Sequence, residues 1–253
     1  MPVCLRELIK EADRLLQPGL FRDYCPNGLQ VEGRPRVQRL LSGVTACQLL
    51  LDEAVRRDAD AILVHHGYFW KGEDVAVTGM KRRRLATLLA NDISLLAYHL
   101  PLDAHPRLGN NARLGALLGL PEGELLFPGR ADNVGNVVNL EMPLTAVQMQ
   151  ARIETLTGRQ SLLIGQAQQV LHRVAWCTGG AQGYIDAALA AGADLFISGE
   201  ASEQTVHTAR EEGIAFIAAG HHATERYGVQ ALGEYLADHF GLTHQFIDVD
   251  NPV

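Results

Sequence analysis

Hydrophobic positions along the chain switch repeatedly between helical and strand-like spacing. Near the start, Leu5, Leu8, Ile9, Ala12, Leu15 and Leu16 recur as on one face of a helix. Pro26-Asn27-Gly28 then marks a turn. Short apolar runs at 38–44, 61–65 and 93–98 read as buried strands, and helical patterns at 46–57, 81–91 and 110–118 lie between and after them. This βαβαβα order predicts a parallel sheet covered by helices. It returns with strands at 171–177, 194–198 and 214–219 and helices at 182–191, 202–212 and 223–239.

The two stretches also share letters. DEAVRRDAD (52–60) resembles DAALAAGAD (186–194), an offset of 134 residues, and each is followed by an apolar run. The offset suggests internal duplication; the competing reading is that α/β units resemble one another by constraint alone. Between them, 123–170 carries a strand-like VGNVVNL, a helix beginning near Thr145 and a strand-like SLLIG. The expected fold is α/β, with two related lobes and parallel-rich sheets. The first lobe is expected over 1–120, a smaller α/β insertion over 121–170, and a second lobe over 171–253 that packs with the first as one unit.

Composition changes this picture little. Hydrophobic residues make up 47% and charged ones 20% of the 253 residues, which excludes a disordered or fibrous chain. No signal peptide is legible and no apolar run reaches the roughly 18 residues of a membrane span, so the cytoplasm is the expected location. Cys4, Cys25, Cys47 and Cys177 form no CxxC pair and read as free thiols. A net charge of −7 argues against a nucleic-acid surface. The run Lys81-Arg82-Arg83-Arg84 opposes that trend, either as a solvated helix face or as a phosphate or partner contact.

In parallel sheets function gathers beyond the carboxyl ends of the strands. There the chain places Val64-His65-His66-Gly67, Tyr98-His99 with Asp103 and His105 following, Ser198-Gly199-Glu200, and Gly220-His221-His222 with Glu225 following. Imidazole and carboxylate without thiolate suit zinc, iron, manganese or nickel. His221 and Glu225, four apart, share a helix face; His65 and His66 are both presented if the backbone turns at Gly67; Asp103 is placed to bridge. The bland alternatives are a hydrogen-bonded surface histidine at each site and a turn or N-cap role for Asp103. Glu200 reads as a helix-start residue with Ser202, or as a group that supports a ligand or moves a proton. His99 and His105 read as ligand supports or substrate contacts. Thr178-Gly179-Gly180 is either a phosphate-receiving turn or only a tight one. These residues together suit a two-metal site that activates water for hydrolysis.

PNGLQVEG (26–33), VTA (44–46), ADAILVHHGYFWKG (59–72), YHLPLDAHPRLGNNARL (98–114), VAWCTGGAQGYIDAA (174–188), FISGEASEQT (196–205) and AAGHHATER (218–226) resemble, in order, segments of the GTP cyclohydrolase 1 type 2 family, also called the Nif-three-like proteins. The resemblance spans nearly the whole chain and is weakest over 120–165. It implies two α/β lobes around a di-metal centre, a homohexameric ring, and metal ligation by His65, His66, Asp103, His221 and Glu225. It also implies hydrolytic opening of the guanine imidazole ring of GTP, with loss of formate. The expected cofactors are two divalent ions per chain. The expected partner is a small-molecule substrate such as a nucleotide, with Glu200 and His99 as catalytic candidates. A metal-binding or metal-delivering ring protein without turnover is the alternative.

Overall fold

The computed structural model describes residues 2–129 and 133–253. In chain order the first elements are β1 (Val3–Cys4), α1 (Leu5–Leu16), β2 (Gly28–Val31), β3 (Arg36–Val37), β4 (Arg39–Thr45), α2 (Gln48–Arg56), β5 (Ala61–His66), α3 (Gly79–Ala90), β6 (Ser94–Ala97) and α4 (Leu100–Ala104). There follow α5 (Asn110–Leu117), β7 (Glu124–Leu125), β8 (Asn136–Thr145), α6 (Ala146–Thr157), β9 (Leu162–Ile164), β10 (Val170–Trp176), α7 (Ile185–Ala190), β11 (Leu195–Ser198), α8 (Glu203–Glu212), β12 (Ala215–Ala218) and α9 (His221–Thr224). The last are α10 (Arg226–Phe240) and β13 (Thr243–Phe246). No helix among the described residues is long and apolar enough to cross a membrane.

The chain forms two compact units. One comprises Met1–Leu108 with Gly228–Asp250, the other Gly109–Tyr227 with Asn251–Val253. Most of the segment expected at 171–253 thus falls in the second unit, while most of α10 and all of β13 fall in the first. Residues 121–170, expected as an insertion, supply β7, β8 and β9 to the same sheet as β10, β11 and β12. Residues 130–132 of that segment lie outside the described residues.

In the first unit β13, β4, β5 and β6 run parallel and β2 closes the edge antiparallel to β6. Alternation along β5 explains its two buried faces. Ala61 and Leu63 join α1 and α10 through Leu8, Ala12, Val229 and Leu232, whereas Ile62 and Val64 join α2 and α3 through Leu50, Ala54 and Leu88. Burial on both sides accounts for the unbroken apolar run that the sequence shows there.

In the second unit β10, β11 and β12 are parallel, flanked by antiparallel β8 and β9. Val174, Trp176, Leu195, Ile197 and Ile217 pack with Leu114 of α5 and Met149 and Ile153 of α6. Helix α6 is started by a capping box between Thr145 and Gln148 and ended by Gly158 in the left-handed region. The candidate residues lie at or just beyond strand carboxyl ends, and the short helices α4 and α9 follow β6 and β12 there.

Candidate metal centre

His65 and His66 close β5, and their rings meet with centroids 4.6 Å apart at a 45° tilt. Nδ1 of His65 lies 2.9 Å from the Tyr98 carbonyl, which can only accept, so Nδ1 carries a proton. Nδ1 of His66 lies 3.2 Å from the Thr45 hydroxyl on the neighbouring strand. Gly67, which follows them, leaves room for its neighbours: a Cβ there would strike the Gln30 side chain and Ala97.

Asp103 does not cap a helix. It sits buried within α4, with Oδ2 3.5 Å from Nε2 of His65, and the N-cap of α5 is Gly109. His99 joins the group: the ligand nitrogens of His65, His66 and His99 all fall within 4.8 Å of one another. His105 serves its own turn instead, Nδ1 accepting the N–H groups of Arg107 and Leu108 at 3.2 and 3.0 Å. Its burial holds the imidazole below its usual pKa.

In the second unit His221 and Glu225 bracket α9, and Nε2 of His221 lies 3.1 Å from Oε2 of Glu225. Nδ1 of His221 donates to Oε1 of Glu200 at 2.6 Å. Glu200 therefore does not start the next helix. Ser202 does, through a capping box with Thr205. Burial lowers the pKa of His221, but the hydrogen bonds and charges of Glu225 and Glu200 outweigh it and raise the imidazole to about 9. His222 is buried and gives its backbone N–H to the Val253 carbonyl at 3.0 Å.

The glycines of the Thr178-Gly179-Gly180 turn have a steric task. Gly179 has φ +69°, and a Cβ on it would strike Oε1 of Glu225. The Thr178 N–H donates to Oδ1 of Asn111 and the Gly179 N–H to Oγ1 of Thr224, both at 3.0 Å, so these two donors are committed within the protein rather than to a phosphate. In the basic run, Arg82 and Arg83 are exposed, while Lys81 bonds the Asp74 carbonyl at 2.9 Å and lies over the Phe69 ring.

Sequence reading did not identify the partners that orient the rings: Thr45, the Tyr98 carbonyl and Asp23, whose Oδ1 lies 2.7 Å from Nδ1 of His99. Asp23 precedes the Pro26-Asn27-Gly28 turn that the sequence marked, and only the turn's position beside the end of β6 could have suggested it.

Two parallel-rich α/β units that present imidazoles and carboxylates at their strand ends define a protein with His, Asp and Glu clusters able to bind metal. The chain belongs to the Duf34/NIF3 (NGG1p interacting factor 3) family, whose model matches residues 3–252. It is 59% identical, over the full length of both chains, to a Pseudomonas aeruginosa protein named GTP cyclohydrolase 1 type 2 homolog. Among solved structures it is similar to protein ybgI, of unknown function, with 52% identity, a TM-score of 0.93 and coverage of 99% of this chain and 100% of that one. TTHA1606 from Thermus thermophilus follows at 33% identity and a TM-score of 0.88, with the same coverage of each chain.

Proposed function

We propose that the chain is a metal-dependent hydrolase of the cyclohydrolase type, acting on a purine nucleotide or related heterocycle. In this reading His65, His66, Asp103, His221 and Glu225 hold two divalent ions per chain. The observation that supports it is the treatment of the rings. His65, His66, His99 and His221 each have Nδ1 engaged by a partner of their own unit, and for three of them that partner is a carbonyl or carboxylate that fixes the proton on Nδ1. Histidines that ligate metal are commonly prepared in this way, the outer nitrogen donating so that the inner one is a better ligand. The donor set of imidazoles and carboxylates fits a borderline divalent ion.

When bound, such an ion supplies Lewis acidity and lowers the pKa of water from 15.7 to about 7, near neutral pH. The remaining work falls to the chain. Glu200, with 35% of its side chain exposed, holds the proton of His221 Nδ1 and can exchange protons with water. His99 offers Nε2 to a substrate nitrogen or oxygen beside His65 and His66. Proton transfer by such groups contributes about 10²–10⁴-fold to a rate. The printed names of the relatives support GTP as the first compound to test. The reading includes a homo-oligomer, a ring hexamer by resemblance, working in the cytoplasm.

Elemental analysis after dialysis and a screen of GTP and related heterocycles for formate release test this together. The wild type should hold close to two ions per chain, His65→Ala should lose most of them, and Glu200→Gln should lose most turnover. A wild type without metal, or unchanged content in His65→Ala, removes the site. Full metal with no turnover on any heterocycle would instead mark a metal-binding or metal-delivering protein.

A further inference from the structure

The loop between α1 and β2 holds a carboxylate that no expected ligand set includes. Asp23 has only 3% of its side chain exposed and accepts four hydrogen bonds. Its Oδ1 takes the Tyr24 N–H at 2.6 Å and His99 Nδ1 at 2.7 Å; its Oδ2 takes Asn27 Nδ2 at 2.8 Å and the Leu100 N–H at 3.0 Å. A carboxylate has about four lone-pair sites, so this one is filled. It therefore has no free site for a metal, although Asp23, Cys25 and His99 lie close enough together to suggest one. Cys25 supports the same conclusion, because burial pushes its thiol up to about 12 and leaves it protonated. Asn27 completes a clamp: Oδ1 accepts the His99 backbone N–H at 2.7 Å while Nδ2 binds Asp23.

We propose that Asp23 is a positioning residue for His99, fixing the proton on Nδ1 so that Nε2 is presented as an acceptor to the molecule that docks beside His65 and His66. The inference rests on the reading of His99 as a substrate contact in the proposed hydrolase. His99 is gripped at its backbone by Asn27 and at its ring by Asp23, and its ring is flanked edge-to-face by Trp70 with centroids 5.1 Å apart. A side chain needed only to fill space requires no such double restraint of ring and main chain. Burial by itself would raise the Asp23 carboxyl, but the hydrogen bonds it accepts from His99, Asn27 and Tyr24 hold it below the ordinary carboxylate range. The clamp thus keeps an acceptor facing Nδ1.

The test uses the full chain labelled with ¹⁵N-histidine, with His99→Gln to assign the ring signals. Long-range ¹H–¹⁵N spectra of the wild type should show His99 with the proton on Nδ1 and none on Nε2. Asp23→Asn should lose that single tautomer while keeping the wild-type metal content, and its kcat on whichever heterocycle the screen identifies should fall about 10–100-fold, with KM little changed. A proton on Nε2 in the wild type, or an unchanged His99 tautomer in a folded Asp23→Asn variant, overturns the proposal, and the first of these can be read even if the variant does not fold. Should the wild type release no formate from any compound, the hydrolase reading fails separately, and the spectra still decide what Asp23 does.

Discussion

The two units share their scaffolding at one end of the sheet and differ at the other. At the offset of 134 residues, Asp60 aligns with Asp194, and each accepts the same pair of backbone bonds. Oδ2 of Asp60 takes the N–H groups of Gln38 and Arg39, both at 2.8 Å; Oδ2 of Asp194 takes those of His172 and Arg173 at 2.7 and 2.8 Å. The backbone N–H of each aspartate returns to the carbonyl of Arg39 or Arg173. At the carboxyl ends the same offset aligns His65 with Gly199, His66 with Glu200 and Thr45 with Gly179. Where one unit carries rings on its second parallel strand, the other carries glycine and a carboxylate. Its ring, His221, comes after the third parallel strand. A Cβ on Gly199 would lie 2.7 Å from Cα of His221, so moving the ring to α9 requires a bare backbone beneath it.

The largest effect should follow from breaking that exchange. Gly179→Ala puts a Cβ into the Glu225 carboxylate at a φ that costs a non-glycine residue about 1–3 kcal/mol. We expect the variant to lose most of its bound metal and to melt several degrees lower. Thr45→Ala, at the matching position, removes only the hydroxyl beside His66. It should weaken metal binding about 10–100-fold without lowering the melting temperature comparably. Parallel metal titrations and thermal melts of the two variants check this; equal behaviour would mean that Gly179 is under no steric demand that Thr45 lacks.

A second, smaller effect belongs to one unit. In metal-free protein His221 is raised from 6.5 to about 9 by the carboxylates on either side. A folded pKa above the unfolded one means that the group stabilises the fold fully below about pH 6.5 and ceases to do so as pH rises through about 9. Denaturant unfolding of dialysed protein should therefore show falling stability between about pH 7 and 10, and His221→Gln should flatten that slope. Metal uptake displaces the same proton, so affinity should rise with pH over that interval.

The comparison also explains what the sequence could disclose. The parallel strands were legible because burial on both faces leaves an unbroken apolar run such as Ala61 to Val64. The capping pair Thr145 and Gln148 marks its helix just as locally. His65 and His66 were legible as candidates because they directly follow such a run, and Asp103, His221 and Glu225 because they lie a short way beyond the ends of β6 and β12. Strands β2 and β13 were not, since each is four residues long and partly exposed, and its pairing is with a strand far along the chain. Unit boundaries were hidden for the same reason: the chain leaves the first unit at Leu108 and returns at Gly228, which is a matter of tertiary contact rather than local pattern. Asp23 and Thr45 were missed because a ring's partner is defined by distance in space, and neither residue type stands out in its segment.

The smallest predicted effect tests whether the shared scaffolding is energetically shared. Removing either aspartate strands two backbone N–H groups near the start of a central strand, a loss of about 1–3 kcal/mol. Asp60 has one further partner: Nη1 of Arg34 lies 2.9 Å from its Oδ1, and Arg34 is anchored at the Asp92 and Asn91 carbonyls. Arg34 is 34% exposed, so solvent screens the pair and it adds at most about 1 kcal/mol. Asp60→Ala should therefore destabilise the protein slightly more than Asp194→Ala, and Arg34→Ala should bring the two into line. Urea unfolding at fixed pH and salt measures all three. If Asp194→Ala proved neutral while Asp60→Ala cost the full amount, the matching hydrogen bonds would be a geometric coincidence of two βαβ units, and the duplication implied by the offset would lose its physical support.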